Sequence, residues 1–541
     1  MRKKVKKPVS YNILVGTKLR EGKEMSDNQQ SVKKAKCIMI QGTASSVGKS
    51  IIAAGLCRIF NQDGHSVAPF KSQNMALNSY VTLDGKEMGR AQVVQAEAAG
   101  LEPDVLMNPV LLKPVSDRKA QIIINGEVYG NMSAAEYHEF KPQLSEMIKQ
   151  VYEKLASMHD IIVIEGAGSP AEINLKDKDI VNMGMAEIAD APVILVGDID
   201  KGGVFAALAG TMLLLDEKER KRIKGVIINK FRGDVDILKP GLKMLEDIIK
   251  VPVLGVVPYF KLSIDDEDSA AFEGKDACNS LTDKSEIEIA VAKLPRMSNF
   301  TDFRVLEMIP SVKLKYVQKQ NDLYNADLII IPGSKNTIED LIYLRNSGIE
   351  ERIKQLNKKG VPVMGICGGY QMLGMEIEDP YGSESSIAKI KGMELLDVKT
   401  TMRQNKTRTQ VEAVLTADEG LLEGLKGRKV RGYEIHMGET EIFNESIPWL
   451  KITNILGQAA LKTDGAINRQ GNVFGTYLHG IFDSIDFTVG LINNIRKSKG
   501  LEILDLKNLE SLCSKEIQYN KLADILRESI DINAIYEIIG I

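Results

Sequence analysis

Short apolar stretches, separated by segments long enough for helices, constrain the fold of the first half of the chain more than any other feature. They are KCIMIQG, SVAPFK, QIIIN, DIIVIEGAG, PVILVGDID, GVIINKF and VPVLGVVP. Strands that are apolar throughout are typical of parallel sheets with helices on both faces, because neither face meets water. The pattern therefore predicts an α/β domain with a mostly parallel sheet over residues 36–260.

A second series of apolar stretches follows: IEIAVAKLP, ADLIIIPGSKNT, VPVMGICGGYQMLG and NVFGTYLHG. It predicts another α/β domain over residues 286–500. The acidic and polar segment 261–285 between the two series predicts an interdomain linker. A helical period in residues 501–541 predicts a C-terminal helical segment packed on the second domain, and the basic, aperiodic residues 1–35 predict a disordered extension.

Length and composition limit the classes of function. The chain has 541 residues, more than one ordinary domain, and its apolar share of 44% supports sizeable cores. A formal net charge of −3 indicates no nucleic-acid surface. Five scattered cysteines without a CxxC pair argue against a disulfide scaffold and favour the reducing cytoplasm. Because no apolar run approaches the roughly 20 residues that span a bilayer, we expect a soluble enzyme without a membrane partner. A homo-oligomer is compatible with the sequence.

The stretch IMIQGTASSVGKSIIAAGL places a loop of small residues between an apolar strand and a helix start. The backbone N–H groups of such a loop can surround phosphates, while a lysine adds charge and a serine hydroxyl reaches Mg²⁺. The match to the usual P-loop is imperfect, since threonine stands where its first glycine is expected and the glycine comes one position earlier. The residues predicted to bind ATP in this loop are Gly42, Thr43, Ser46, Val47, Gly48, Lys49 and Ser50.

Two charged residues at the ends of other strands extend this site. Glu165 ends the stretch DIIVIE, where a carboxylate can hold Mg²⁺ beside the phosphates together with Ser50. Lys71 follows the second strand and can neutralise a phosphate during transfer. The alternatives are a helix cap or surface group for Glu165 and a solvated strand end for Lys71.

Cys367 is the candidate nucleophile of the second domain. In PVMGICGGYQMLG it follows a buried strand and precedes two glycines and a helix start. The partial positive charge of a helix N-terminus favours a thiolate, and its N–H groups can bind an oxyanion. A cysteine nucleophile needs a base, and the histidines in the same half are His436 and His479. His479 closes a strand and precedes glycine, which favours it as the base and leaves His436 a pocket or structural role.

Both halves resemble known enzyme families. The loop GTxxxVGKS is similar to that of dethiobiotin synthetase and its relatives, ATP enzymes that activate carboxylates. The second half resembles the class I glutamine amidotransferases, a flavodoxin-like fold in which a cysteine activated by histidine releases ammonia from glutamine. This resemblance implies oxyanion and glutamine-pocket residues at Gly333, Ser334, Gly368 and Gln371, with His436 beside them.

The sequence departs from the common amidotransferase triad at one position. Many such domains carry glutamate two residues after the histidine, where this chain has Ile481. We therefore expect a Cys-His dyad, with Asp483 as a weak candidate for an orienting acid.

A more specific resemblance covers nearly the whole chain from Cys37 onward. The motifs FKSQNMALNS, LLKPVSDRKAQIIINGEVYG, LPRMSNFTDF, IIPGSKNTIEDL, GICGGYQMLG and GYEIHMG occur in the order found in the cobyric acid synthase family. The resemblance implies ATP- and glutamine-dependent amidation of the b, d, e and g carboxylates of adenosylcobyrinic acid a,c-diamide. The rival hypotheses are a cobyrinic acid a,c-diamide synthase, an amidotransferase for cell-wall or nucleotide substrates, and a P-loop scaffold ATPase with an inactive glutaminase fold.

Overall fold

The structure is a computed structural model that describes residues 35–116, 118–265, 286–505 and 513–541. The predicted disordered extension up to residue 34 and residues 266–285 of the predicted linker lie outside these ranges. The strands in chain order are β1 (Lys36–Gly42), β2 (Val67–Phe70), β3 (Gln73–Met75), β4 (Ser79–Val81), β5 (Glu87–Gly89), β6 (Val110–Ser116), β7 (Lys119–Ile124), β8 (Glu127–Ser133), β9 (Ile161–Glu165), β10 (Val193–Asp198), β11 (Ile223–Phe231), β12 (Val253–Pro258), β13 (Ile287–Ala292), β14 (Val312–Val317), β15 (Leu328–Ile331), β16 (Val363–Ile366), β17 (Glu376–Glu378), β18 (Lys389–Lys391), β19 (Val398–Leu415), β20 (Lys429–Ile442), β21 (Ser446–Ile447), β22 (Leu450–Ile455), β23 (Gln458–Asp464), β24 (Ala466–Asn468), β25 (Val473–Thr476) and β26 (Leu478–His479).

Helices connect many of these strands. In chain order they are α1 (Lys49–Gln62), α2 (Arg90–Ala98), α3 (Ala134–Phe140), α4 (Ser145–Ala156), α5 (Met183–Ala189), α6 (Val204–Leu214), α7 (Glu217–Arg222), α8 (Val235–Ile249), α9 (Arg304–Met308), α10 (Thr337–Asn346), α11 (Ile349–Lys358), α12 (Gly368–Leu373), α13 (Ile485–Ser498), α14 (Lys515–Ser529) and α15 (Ile532–Ile539). Within the described ranges, none of these helices has the length and apolar character needed to cross a bilayer.

The first large sheet has six strands in the order β12-β11-β10-β1-β9-β2, and every neighbouring pair is parallel. The central strands β9 and β10 are buried along their whole length, as continuous apolar strands require. The predicted parallel α/β sheet is confirmed. Its carboxyl-terminal edge brings the end of β1, the end of β9 and the residue after β2 to one side.

One stretch assigned to this sheet from the sequence, QIIIN, lies elsewhere. It forms most of β7, which pairs antiparallel with β6 and β8 in a separate four-stranded sheet. The turn from β7 to β8 is Asn125-Gly126, with φ of 47° and 80°. Positive φ at both positions is the geometry of a two-residue hairpin turn, and Asn-Gly is its strongest sequence signal. The dipeptide therefore explains the antiparallel pairing of β7 with β8.

The second half contains a seven-stranded sheet in the order β14-β13-β15-β16-β25-β24-β21. Its strands from β14 to β25 are parallel, and β24 and β21 complete it in the antiparallel direction. A further sheet, β18-β17-β19-β20-β26, lies beside it. The second predicted α/β domain is therefore confirmed, and β16, which leads to Cys367, lies between β15 and β25.

The C-terminal helices do not pack on the second domain, so that prediction is wrong. Leu522 and Leu526 of α14 belong to the same buried core as α1, and a Cβ on Gly55 of α1 would lie 2.2 Å from Leu526 Cδ1. Tyr519 of α14 donates a 2.5 Å hydrogen bond to Glu97 of α2. The helical period of the apolar residues predicts an apolar face on α14. The surface that this face covers is determined by Gly55 of α1, which leaves room for Leu526.

The two halves contact each other through the segment that includes β4. Ser79 N donates to Asn299 Oδ1 at 3.1 Å, and Phe300 N donates to Asn78 Oδ1 at 3.1 Å. These bonds satisfy buried backbone groups of each half with side chains of the other. They fix the start of the segment that contains SNFTDF against the nucleotide-binding half.

A buried ion cluster joins the halves nearby. Glu87, which is fully buried, accepts from Lys113 of its own half at 2.8 Å and from Lys406 of β19 at 2.6 Å. Burial opposes ionisation of Glu87, but the two lysines outweigh it and hold the pKa of this carboxyl far below its usual range. Burial lowers the pKa of Lys406 to about 7.

Candidate active site

The loop between β1 and α1 has the conformation of a phosphate-binding loop. Gly48 has φ of 99°, and a Cβ at this position would lie 2.1 Å from Asn229 Nδ2, so only glycine fits. Lys49 begins α1 and spans the loop, with Nζ donating to Ala44 O at 3.0 Å and Gly168 O at 3.2 Å. The lysine therefore already lies across the space that phosphates would enter.

Neighbouring strand ends support the rest of this loop. Thr43 N donates to Val196 O at 3.0 Å, directly after Gly42 ends β1. Asn229 Nδ2 donates to Val47 O at 2.9 Å, and Lys230 Nζ donates to Ser46 O at 2.6 Å. Asn229 and Lys230 at the end of β11 therefore hold the loop backbone.

Glu165 lies at the centre of a buried polar cluster beside the loop. Its Oε1 accepts from Ser50 Oγ at 2.8 Å and from Lys71 Nζ at 2.9 Å. Its Oε2 accepts from Gln95 Nε2 of α2 at 2.6 Å. The three residues that the sequence assigned to phosphate and metal chemistry at the strand ends are thus in direct contact.

Cys367 occupies a strained turn between β16 and α12. Its φ of 51° and ψ of −108° are unfavourable for a residue with a side chain, and such strain is concentrated at functional sites. A Cβ on Gly369 would lie 2.0 Å from Ile331 O, so the turn can approach the neighbouring strand only with glycine there. The thiol therefore lies at the N-terminus of α12, as predicted.

The loop after β15 lies against this turn. The amide nitrogen of Ser334 is 2.9 Å from where a Cβ on Gly368 would lie, and a Cβ on Gly333 would lie 3.0 Å from His479 Cε1. Ser334 Oγ donates to Asp340 Oδ2 at 2.6 Å, which anchors the loop. Gly333, Ser334 and Gly368 are thus brought together beside the thiol and the imidazole, where an oxyanion would form.

His479 is held by an acid that the sequence reasoning missed. Its Nδ1 lies 2.7 Å from Asp302 Oδ2, and Gly480 N donates to Asp302 Oδ1 at 2.9 Å. The expected dyad without an orienting acid is therefore wrong. The weak candidate Asp483 is also wrong, because it lies 3.9 Å from Arg304 and makes no described contact with His479. In the sequence, Asp302 is a single acid in the mixed polar and aromatic motif SNFTDF, and no local pattern connects it with His479.

The charge states of the two histidines differ. Burial opposes protonation of His479, but the Asp302 carboxylate and the Cys367 sulfur, to which the imidazole hydrogen-bonds, raise the pKa of His479 to about 10. Burial lowers the pKa of His436 to about 3, and its Nδ1 lies 2.7 Å from Gly438 O. The pKa shifts favour a protonated imidazole at His479 and a neutral imidazole at His436 at neutral pH.

Gln371 and His436 enclose the space beside Cys367 through Tyr477. The His436 ring stacks on Tyr477 at 3.7 Å between centroids. Gln371 Nε2 donates to the Tyr477 hydroxyl at 3.2 Å, and Gln371 Oε1 accepts from Thr337 Oγ1 at 3.0 Å. Gln371 and His436 are therefore connected through Tyr477. Their assignment to the glutamine pocket stays a prediction.

Comparison with known proteins assigns a family to each half of the chain. Residues 38–270 match the family described as the CobQ/CobB/MinD/ParA nucleotide binding domain, and residues 288–487 match the CobB/CobQ-like glutamine amidotransferase domain. The cobyric acid synthase of Clostridium botulinum strain ATCC 19397 is 57% identical over 503 residues, 93% of this chain and 99% of that protein. The chain belongs to the cobyric acid synthase family. Another member of the cobyric acid synthase family, from Thermoanaerobacter sp. strain X514, is 56% identical over 506 residues, 93% of this chain and 98% of its own length.

Among solved structures, this cobyric acid synthase family member is similar to PurLQS from Thermotoga maritima, which covers 39% of the chain and 99% of its own length, with 20% identity and a TM-score of 0.30. The family assignment rests on the sequence matches, which span both halves.

Proposed function

We propose that the chain uses ATP and glutamine to amidate the b, d, e and g carboxylates of adenosylcobyrinic acid a,c-diamide, giving adenosylcobyric acid. Membership in the cobyric acid synthase family supports the substrate. The observation that carries the proposal is the contact of His479 with both Cys367 and Asp302, because it supports a competent glutaminase on the same chain as a phosphate loop.

The glutaminase half releases ammonia in two steps. The Cys367 sulfur attacks the side-chain amide carbon of glutamine, the C–N bond breaks, and His479 gives its proton to the departing ammonia. Water then cleaves the thioester, with His479 taking its proton, and glutamate leaves. The amides near Gly368 and Ser334 stabilise the oxyanion of both intermediates. Asp302 keeps the imidazole oriented and stabilises its positive charge.

The nucleotide half activates the acid. A corrinoid carboxylate oxygen attacks the γ-phosphorus of ATP, the bond to ADP breaks, and an acyl phosphate forms. Ammonia attacks its carbonyl carbon and phosphate leaves, which yields the amide. Lys49 and Lys71 stabilise the charge on the transferring phosphate.

The residues at this edge fit Mg²⁺. A serine hydroxyl and a carboxylate, Ser50 and Glu165, are the hard oxygen ligands that Mg²⁺ prefers, with phosphate oxygens and water completing its shell. The described residues contain no cluster of three potential His, Cys, Asp or Glu ligands, and Mg²⁺ bound with nucleotide does not require one. When bound, Mg²⁺ neutralises phosphate charge. Lys71 would then exchange its contact with Glu165 for one with phosphate.

The test is mass spectrometry of the corrinoid product formed from the a,c-diamide with ATP, Mg²⁺ and either glutamine or ammonium. We expect the b, d, e, g-amidated product with both nitrogen sources, loss of only the glutamine-supported reaction in Cys367→Ser, and loss of both in Lys49→Ala. Cys513→Ser is the matched thiol control. Amidation of cobyrinic acid but not of the diamide would refute the proposed substrate.

A further inference from the structure

Tyr433 connects the catalytic imidazole to the other half of the molecule. It lies opposite His479 in the β20–β26 pair, and its ring stacks on the imidazole at 5.4 Å between centroids with an interplanar angle of 23°. It is only 4% exposed. A ring stacked on the imidazole face limits the rotation of the His479 side chain. It adds to the restraint from the Nδ1 contact with Asp302.

Tyr433 also contacts residues of the nucleotide-binding half. Its hydroxyl donates to Ser79 O at 3.1 Å, and the Tyr80 ring lies edge-on at 5.3 Å. Burial raises the pKa of the Tyr433 phenol well above its ordinary value, so the hydroxyl keeps the proton that it donates. Val81 joins Tyr433 and Ile435 in a small apolar cluster across the boundary between the halves.

The segment that holds Tyr433 is itself attached to the nucleotide site. Arg90 lies 5.2 Å from the centroid of the Tyr80 ring, a cation–π contact, and Arg90 begins α2. Five residues further along α2, Gln95 donates to Glu165. Arg90, which contacts Tyr80, therefore shares a helix with a hydrogen-bond donor to the proposed metal-binding carboxylate.

We propose that Tyr433 is a positioning residue for His479 and that Ser79 and Tyr80 of the nucleotide-binding half hold it in place. The inference builds on the proposed glutaminase function and assigns part of its geometry to the other half of the chain. Glutamine hydrolysis then depends on residues that contact neither glutamine nor Cys367. Its rate depends on the docking of the nucleotide-binding half.

The experiment measures glutamate release and ammonium-supported amidation by the full chain. In Tyr433→Leu we expect kcat for glutamine to fall about ten- to a hundredfold, because a misplaced catalytic group costs rate, with KM changed by less than about twofold. In Tyr433→Phe, which keeps the ring and loses the bond to Ser79, we expect a fall of about fivefold. For Tyr80→Leu, in the nucleotide-binding half, we expect a fall in kcat between those of Tyr433→Phe and Tyr433→Leu.

The controls separate this inference from a structural effect and from the proposed function. Tyr324→Leu removes an exposed ring of the same half and should change neither activity. Equal kcat in wild type and in Tyr433→Leu and Tyr80→Leu would overturn the inference, as would a parallel loss of ammonium-supported amidation in Tyr433→Leu. Absence of glutamine hydrolysis from the wild type would instead refute the proposed function.

Discussion

Asp302 accepts a 2.7 Å contact from Nδ1 of His479 across 177 positions of sequence. The carboxylate comes from the 3-10 turn Phe300–Phe303, and the histidine ends β26. The usual position of the acid, two residues after the histidine, is occupied by Ile481, which is fully buried. The proposed triad would therefore take its acid from a segment 177 residues before the histidine.

Asp302→Asn tests whether this contact matters for catalysis. The amide keeps the shape but loses the charge that holds the imidazolium, so we expect kcat for glutamine hydrolysis to fall about a thousandfold. Ammonium-supported amidation should persist. Glu441→Gln, an exposed change on β20, is the charge-matched control. Retention of more than about a tenth of the glutaminase rate would contradict the assigned role.

The pKa of His479 gives a pH dependence of stability. Because the value of about 10 in the folded protein exceeds the ordinary one of 6.5, the protonated imidazole stabilises the fold. That contribution is complete below about pH 6.5 and disappears as the pH rises toward about 10. We expect the difference in urea midpoint between wild type and the double variant Asp302→Asn/His479→Gln to narrow over this range.

The measurement can use the fluorescence of Trp449, the single tryptophan of the chain, which is fully buried in the second domain. A difference in midpoint that stays constant or widens with pH would contradict the assigned charge state.

The interdomain ion cluster predicts unequal effects of two substitutions. Glu87→Gln leaves Lys113 and Lys406 buried without a counter-charge, so we expect a loss of about 3 to 5 kcal/mol in the free energy of unfolding. Lys406→Met leaves Glu87 paired with Lys113, and we expect a loss of about 1 kcal/mol or less. Chemical denaturation measures both variants. Equal losses in the free energy of unfolding would contradict the inference that Glu87 is the shared counter-charge of the two lysines.

The packing of α14 on α1 predicts which half is loosened by damage to the C-terminal helices. Leu526 is fully buried, so Leu526→Ala should cost about 2 to 4 kcal/mol. Hydrogen exchange should increase in α1 and α14 and stay unchanged in β16. Leu461→Ala, at a residue that is 85% exposed, is the control. Increased exchange confined to the second domain would contradict the observed packing.

Features that depend only on residues close together in the chain could be predicted from the sequence. A strand, a turn that needs glycine and a helix start lie within a few residues of Cys367, and the apolar run before Glu165 marks a buried strand. Both therefore emerged from short patterns. The hairpin at Asn125-Gly126 is equally local, because the Asn-Gly dipeptide itself indicates a two-residue turn.

The features that were missed depend on contacts between distant segments. Nothing near Asp302 indicates that it faces His479, since an acid in a short turn is common. The apolar face of α14 fits either half equally well by periodicity, and the choice depends on the small surface that Gly55 leaves on α1. Tyr433 lies within GYEIHMG, and nothing in that motif indicates that its ring stacks on His479.

The return of α14 and α15 to α1 has a consequence for how the molecule is made. The helix that follows the phosphate loop is covered by residues that come after the whole glutaminase half in the sequence. On the ribosome, the apolar surface of α1 therefore stays uncovered until the glutaminase half and the helices after it have been synthesised. Dividing the gene between the two halves would leave that surface bare.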